Sequence, residues 1–443
     1  MIAERAPGAG AARAPRWPAK LIIVDAERCP LEISAARAEG GKYNAIWVLA
    51  RIGGEPRALL EVPCPGEHLT AAQLEQLFAE LPPVPPRATA VPDRWPRFTV
   101  VISTIFERTD ELRRTLAAMA AVDYPNMELL LVDNRRTEGP LPAWLAGTPG
   151  LRLLAERQPG LASGRNRGLA EATGEYVVFT DDDVVPDPGW LKAFAARFAA
   201  NPHEVGIAGL VLPNGLETQA NLRIEEYYGG YGTRVLRPLS YTLQPRSWWR
   251  LFTPATVVGT DDQGVAVQRF SLYEGGKLGV GANLAFRTRA IRALGGFDAR
   301  LGAGTPARSG EDLAIMARLA WSGHAIGYAP AAFLLHTDRP DDQALQTKLE
   351  GYGTGLTAEL VSLVLSDPRH LGAMFATVPE GVRRLVSYFN ARLRSTDAGG
   401  EVGDDRGAAP ISSLADLARM ELRGMVHGPV AFLQSHRRLR QRR

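Results

Sequence analysis

The stretch GEYVVFTDDDVVPDPGWL, residues 174–191, decides the fold. Tyr176 to Phe179 form an apolar run of the length of one buried strand, and Thr180, Asp181, Asp182 and Asp183 stand where that strand ends. Three successive carboxylates repel one another. A hard divalent cation with oxygen ligands would relieve that repulsion while binding phosphate groups. Ligands of open α/β sheets sit outside the carboxyl ends of the strands, which is where this cluster lies. The plainer alternative is a solvated acidic turn before a helix. That helix is expected to start with Asp187 as N-cap and Pro188 at its first position, and to face Leu191, Phe194 and Phe198 inward.

Working outward, apolar runs alternate with helical segments: FTVVIS from Phe98, a helix over 109–121, MELLLVD from Met127, LRLLAE from Leu151 and a helix over 163–173. Such alternation implies a mostly parallel sheet with right-handed crossovers. In the 109–121 helix Thr109 can cap, Asp110 and Glu111 suit the positive end of the dipole, and Leu112, Leu116 and Met119 form one stripe. GANLAF, from Gly281, is expected as a strand and 310–322 as a helix, while 229–280 lacks a period and is expected as a long connection covering a site. Upstream, 1–19 is expected to be a flexible lead and 20–80 a small β-rich domain with one helix. Residues 81–97, with six prolines, are expected as a stiff linker. The main domain then runs over 98–340, and 341–443 is a helical region interrupted at Gly400–Ala409 and ending in a basic tail.

The 443 residues, 45% hydrophobic and 22% charged, fit a globular chain with ample core and exclude general disorder. Two cysteines, Cys29 and Cys64, exclude a disulfide scaffold and a four-cysteine zinc site. The expected location is cytoplasmic, since no apolar run reaches a membrane span and Met1–Lys20 lacks a secretory signal's apolar segment. The net charge of +3 includes five arginines in the last seven residues, without which the chain stands at −2. Nucleic acid is therefore not an expected partner. The basic end is either a solvated tail or a weak anchor for anionic lipid at the inner face of the plasma membrane.

Four further groups carry chemistry. Asp133-Asn134 ends an apolar strand, either as a nucleoside contact or as an Asx turn. Gly160–Gly168 puts small residues, Arg165 and Arg167 at a helix start, suited to phosphate or pyrimidine groups or to ordinary salt bridges; it lacks the Gly-Lys-Ser/Thr ending of a Walker loop. Ser309-Gly310-Glu311-Asp312 is either a capping box, with Asp312 reaching back to Ser309, or a source of a general base. His336 either faces a metal or ends a strand, and Trp248 and Trp249 either stack on a ligand or pin the long loop.

In order, VVIST, LLLVDN, GLASGRNRGL, GEYVVFTDDDVVPDPGWL, GANLAFRTRAIRALGGFD and SGEDLAIMARL resemble family 2 glycosyltransferases over about residues 98–340. The resemblance implies the GT-A fold, an α/β doubly wound, mixed but mostly parallel sheet, here with the small β-rich domain before it and helices after it. It implies that Thr104 and Asp133 line the nucleoside pocket and that Arg165 contacts base or diphosphate. Gly281, Ala282 and Asn283 would lie near donor and acceptor sugar. Asp181–Asp183 match the family's Asp-x-Asp region in either of two registers, Asp181 with Asp183 or Thr180 with Asp182. Asp182 or Asp183, with His336, would bind Mg²⁺ or Mn²⁺, leaving Asp181 toward the donor. Asp312 matches the base of inverting members. VISTIFER departs from the family's usual Pro-Thr-Tyr-Asn opening, and the Gln-x-x-Arg-Trp motif of processive synthases is missing after Asp312. Transfer of one sugar from a nucleotide-diphosphate donor to a hydroxyl acceptor, a cell-envelope or lipid-linked glycan, is the expected reaction. A sugar-nucleotidyltransferase and a catalytically silent nucleotide-sugar-binding scaffold are the alternatives.

Overall fold

The computed structural model describes residues 17–64, 66–81, 94–230, 234–245, 252–274, 276–339, 341–378 and 414–441. The expectations for most of the lead, for the centre of the proline-rich segment, for Trp248 and Trp249 and for the break at 400–409 lie outside these residues.

The chain opens with β1 (Ala19–Asp25), β2 (Glu32–Ser34), β3 (Ala45–Ile52), β4 (Glu55–Pro63), β5 (His68–Thr70) and α1 (Ala71–Ala79). Strands β1, β3 and β4 make one sheet, β2 and β5 a second. Thr70 and Gln73 form a capping box at the start of α1. Arg51 ties this unit to the main body, donating from Nη1 to Asp187 Oδ2 at 2.8 Å and from Nε to Asp25 Oδ1 at 2.6 Å.

The main body comprises β6 (Phe98–Thr104), α2 (Thr109–Ala120), β7 (Met127–Asp133), β8 (Leu151–Ala155), α3 (Leu161–Glu171), β9 (Tyr176–Thr180), β10 (Val184–Pro186), α4 (Trp190–Ala200), β11 (Glu204–Pro213), α5 (Gln219–Tyr228), β12 (Leu239–Leu243), β13 (Thr256–Thr260), β14 (Ala266–Ser271), β15 (Leu284–Arg287), α6 (Thr288–Ala293), α7 (Glu311–Trp321) and β16 (Ala325–His336). Helices α8 (Asp342–Ser366), α9 (369–378) and α10 (Leu414–Arg440) complete it.

The 11-stranded sheet runs β14-β13-β12-β16-β11-β15-β9-β6-β7-β8, with β10 on β16. Strands β8, β7, β6 and β9 are mutually parallel, as are β11 and β16, while β15 lies antiparallel between β9 and β11. Alternation along the central strands sets the layers. Val101, Leu130 and Phe179 share one core with Leu169 of α3 and Met316 of α7, whereas Val100, Leu131 and Val178 share the other with Leu116 of α2 and Phe194 of α4. Both faces are covered. The chain leaves β6 toward β7 and β8 and returns to β9 on the other side of β6, so the strand order reverses where Thr104 and the acidic turn end their strands. Gly168 lets α3 lie close on β6: a Cβ there would stand 2.3 Å from Val101 Cγ1.

Several expectations are revised. Helix α4 begins at Trp190, because Asp187 instead closes a turn, Oδ1 accepting from Gly189 N at 2.8 Å. Thr109 is the first residue of α2, and Arg108 stands at its cap without a side-chain capping bond. The 229–280 region contains the antiparallel β12–β14, whose cross-strand pairing does not show as a local period. At the far end Arg437, Arg438 and Arg440 belong to the last turn of α10 rather than to a tail.

Candidate active site

The carboxyl ends of β6, β7 and β9 converge. Thr104 and Asp133 are register partners, and Asn134 N donates to Thr104 O at 2.8 Å. Asp133 is buried and forked: Arg135 donates from Nε to Oδ1 at 2.9 Å and from Nη2 to Oδ2 at 3.0 Å, and Arg157 Nη1 lies 3.0 Å from Oδ2. Burial acts to raise its pKa, but these bonds outweigh burial and hold it below the ordinary carboxylate value. The Asn134 amide donates to the carbonyls of Glu156 and Gln158 and accepts from Gly160 N, which draws the 156–160 loop to the strand end. Arg135 stacks over Phe106 with its guanidinium carbon 4.7 Å from the ring centre.

The three aspartates of the acidic turn take three different hydrogen-bond partners. Asp181 Oδ1 accepts from Arg165 Nη2 at 3.0 Å. Asp182 Oδ2 accepts from Thr104 Oγ1 at 2.5 Å. Burial pushes the Asp182 carboxyl up to about 6, with the Thr104 bond opposing and the neighbouring Asp183 and Asp181 adding to the rise. Asp183 turns to the other side, where Arg108 Nη1 donates to Oδ2 and His336 Nε2 lies 3.3 Å from Oδ1. Thr180 is buried, its hydroxyl donating to Ala282 O at 2.7 Å.

This geometry bears on the choice between the two Asp-x-Asp registers. The atoms that gather are one carboxylate oxygen each of Asp181 and Asp183 and one His336 nitrogen, all within 4.8 Å of one another. Asp182, expected as a metal ligand, is outside that group, because consecutive residues of a tight turn cannot all aim at one point. Two carboxylates and an imidazole suit a divalent ion. Asp183 Oδ1 is buried without a hydrogen bond, and burial raises the pKa of this carboxyl although His336 opposes the rise. A buried anionic oxygen with no hydrogen-bond donor, and an imidazole nitrogen 3.3 Å away, is the feature a cation would satisfy. A cleft of about 710 Å³ opens beside the group, with Arg108, Asp183, His336, Asp338, Lys348 and Tyr352 among its walls.

On the opposite side Arg165 is 1% exposed and collects Asp181, Glu311 Oε1 at 3.0 Å and Gly281 O at 3.0 Å. Gly281 in turn donates its N–H to Asp312 Oδ2 at 2.7 Å, and Asp312 Oδ1 accepts from Leu313 N at 2.9 Å. The capping-box alternative is not realised. Gly310, with φ of 97°, caps α7 without a side-chain bond, and the Ser309 hydroxyl donates to Gly351 O. Asp312 is thus held in the first turn of α7 by backbone N–H groups, directed toward the 281 loop. A Cβ on Gly281 would stand 2.7 Å from Arg165 Nη1 and 3.0 Å from Asp312 Oδ2.

Thr104, Asp133, Arg165, Asp181–Asp183, Gly281, Asp312 and His336 therefore lie along one continuous set of contacts, with Ala282 joined through Thr180. The side chain of Asn283 goes elsewhere. It is fully buried, donates to Leu210 O and Ala332 O and accepts from Trp190 Nε1, which anchors the strand after the 281 loop. Several residues at the site carry no local sequence signal, among them Phe106, Arg108, Arg135, Arg157, Glu311 and Lys348. Glu311 lies within the Ser-Gly-Glu-Asp motif, but only the fold shows that it shares Arg165 with Asp181. Burial, with Asp312 adding, raises its pKa against the pull of Arg165.

The family model described as Glycosyl transferase family 2 matches residues 99–255. A pre-mycofactocin glycosyltransferase of Mycobacterium tuberculosis (strain ATCC 25618 / H37Rv) is 26% identical over 243 residues, covering 53% of this chain and 43% of that protein. A putative polypeptide N-acetylgalactosaminyltransferase 13 of Drosophila melanogaster is 33% identical over 118 residues, 23% of this chain and 21% of that protein. The chain spans less than half the length of these curated relatives. Among solved structures, the mannosyltransferase PcManGT from Pyrobaculum calidifontis, in complex with GDP-Man and Mn²⁺, matches with a TM-score of 0.42 and 17% identity over 82% of this chain and 91% of that one.

Proposed function

The chain carries a glycosyl transferase family 2 domain, and from that premise we propose that it moves a single sugar, with inversion, from a nucleotide-diphosphate sugar to a hydroxyl acceptor. The observation that carries this reading is the joining, by direct contacts, of Asp312, the Arg165 cluster and the Asp181–Asp183–His336 group at the reversal of strand order.

Thr104, Asp133 with its paired arginines, and Phe106 form the nucleoside end. Arg165 orients Asp181 and the 281 loop, where the donor sugar is placed. Asp181, Asp183 and His336 would hold Mn²⁺ or Mg²⁺, which supplies positive charge against the departing diphosphate. Asp312 takes the proton of the acceptor hydroxyl as its oxygen bonds to the anomeric carbon. The bond from that carbon to the diphosphate oxygen breaks, and its electron pair leaves with the nucleoside diphosphate. Arg108 and Lys348, at the wall of the cleft, meet the charge that accumulates there. The acceptor belongs to the class of glycans or lipid-linked glycans, and the cytoplasmic side of a membrane is the matching location.

A panel of nucleotide sugars with Mn²⁺ and with Mg²⁺, scored by product, tests the reading. One donor is expected to release nucleoside diphosphate; release of pyrophosphate would instead mean nucleotidyl transfer. Asp312→Asn is expected to lower transfer by about 10²–10⁴-fold, the usual worth of a positioned base, while binding donor as before. Undiminished turnover of Asp312→Asn would remove it from the mechanism.

A further inference from the structure

Helix α10 has two unlike sides. Its inner side is fastened to α8 along a seam of glycines. A Cβ on Gly424 would stand 2.1 Å from Glu350 O, one on Gly428 2.4 Å from Thr354 O, and one on Gly353 of α8 2.0 Å from Glu421 O. Thr357 Oγ1 of α8 adds a bond to Met425 O at 2.7 Å. The helix is therefore held at one rotation, which fixes what its outer side presents.

That outer side carries Leu422, Val426, Val430 and Leu433, spaced by four, four and three residues and therefore on one stripe, with Val426 77% and Leu433 53% exposed. Arg423, Arg437 and Arg438 are exposed along the same helix. Its acidic residues are turned to partners: Glu421 accepts from Tyr227 Oη at 2.6 Å, and Asp416 pairs with Arg419 at 2.9 Å. Among the described residues of α10, no exposed position carries a carboxylate. No helix of the described residues is long and apolar enough to cross a membrane.

We propose that the outer side of α10 is a docking surface for an anionic bilayer, lying in the plane of the headgroups with the Leu422–Leu433 stripe inserted and the arginines on lipid phosphates. Charge decides the occupant. An apolar stripe whose fully exposed charged neighbours on the helix are all arginines is the composition of an interfacial helix, and a second copy of the same face would bring arginines against arginines. The docked element is the full helical face rather than the terminal arginines alone. Because α10 packs on α8, and α8 supplies Lys348 and Tyr352 to the cleft wall, docking would hold that cleft near the lipid surface.

The test is co-sedimentation of the full chain with phosphatidylcholine vesicles, with and without phosphatidylglycerol, at low and high salt, alongside size-exclusion chromatography with light scattering. The chain is expected to bind the anionic vesicles, less so in high salt. Val426→Asp with Leu433→Asp is expected to abolish binding. Arg437→Gln with Arg438→Gln is expected to weaken it by about five-fold per arginine. Both variants should keep the wild-type melting temperature and release nucleoside diphosphate from soluble substrates as before. Equal partition of wild type and Val426→Asp/Leu433→Asp, or a dimer lost in that variant without any vesicle binding, would overturn the proposal.

Discussion

Arg165 and Arg108 both grip the acidic turn, but one does so in a closed interior and the other at an open wall. Arg165 is enclosed by Asp181, Glu311 and the Gly281 carbonyl, one buried cation set between two carboxylates. Arg108 reaches Asp183, Glu111 and Thr337 O from the margin of the 710 Å³ cleft, beside a carboxylate oxygen that keeps no hydrogen bond. In the proposed reaction the closed side sets geometry, and the open side is where ions and phosphates would be exchanged. A turn of three aspartates that is to bind a ligand would need both, because its charge must be partly matched for the chain to fold and partly left over for the ligand.

Arg165→Met breaks the closed side and has the largest expected effect on stability. It leaves Glu311 and Asp181 without their cation, and losing one partner of a buried ion pair costs about 3–5 kcal/mol. Denaturant unfolding should show this loss, and Arg165→Lys should not restore it, since one ammonium cannot reproduce the three-way fork.

Asp298 lies between the extremes: Arg300 donates to it from Nε at 2.8 Å and from Nη2 at 2.7 Å, and Ser362 of α8 also bonds to it. Burial acts to raise its pKa, but these bonds prevail and hold it below the ordinary carboxylate value. A depressed carboxylate stabilises the fold fully above its unfolded pKa of about 4, and that contribution is lost as pH falls through the folded value. Asp298→Asn should therefore cost about 1.5–3 kcal/mol near neutrality, the usual worth of hydrogen bonds to a charged group, and less at acid pH. Unfolding curves collected across the acid range would show the mutant and wild type drawing together; a constant gap would mean that its ionisation is not what matters.

Arg108→Met should disturb the fold less than Arg165→Met, because Asp183 keeps His336 Nε2 3.3 Å from Oδ1 when its arginine is lost. Its effect should fall mainly on the ligand: weaker retention of nucleoside diphosphate, with a smaller fall in melting temperature than Arg165→Met gives. A large loss of stability would show that the open and closed sides do not differ in this way.

Much of this arrangement was legible in the chain because it is local. Apolar runs such as Tyr176–Phe179 announce buried strands, and a carboxylate cluster directly after one must lie at a strand end. Where the three aspartates aim was not legible. It depends on Thr104, Arg165 and His336, which arrive from other strands and helices, and consecutive side chains in a turn diverge by angles that sequence does not carry. The same holds for Asn283, whose amide is used by Leu210, Ala332 and Trp190. Strands β12–β14 hid for a related reason: their pattern is completed by cross-strand neighbours rather than by a period along the chain. The α8–α10 seam rests on glycines, which read locally as helix breakers and only in the pair as points of close approach.

Calorimetric titration of GDP and UDP, with Mn²⁺ and after chelation, into wild type and Asp183→Asn tests the division between the two sides most directly. Wild type should bind at least one of these nucleotides, with affinity falling about 10-fold or more when the metal is removed, and Asp183→Asn should resemble the chelated wild type. Equal affinity in all these conditions would contradict the assignment of the open side of the turn to a cation-bound diphosphate.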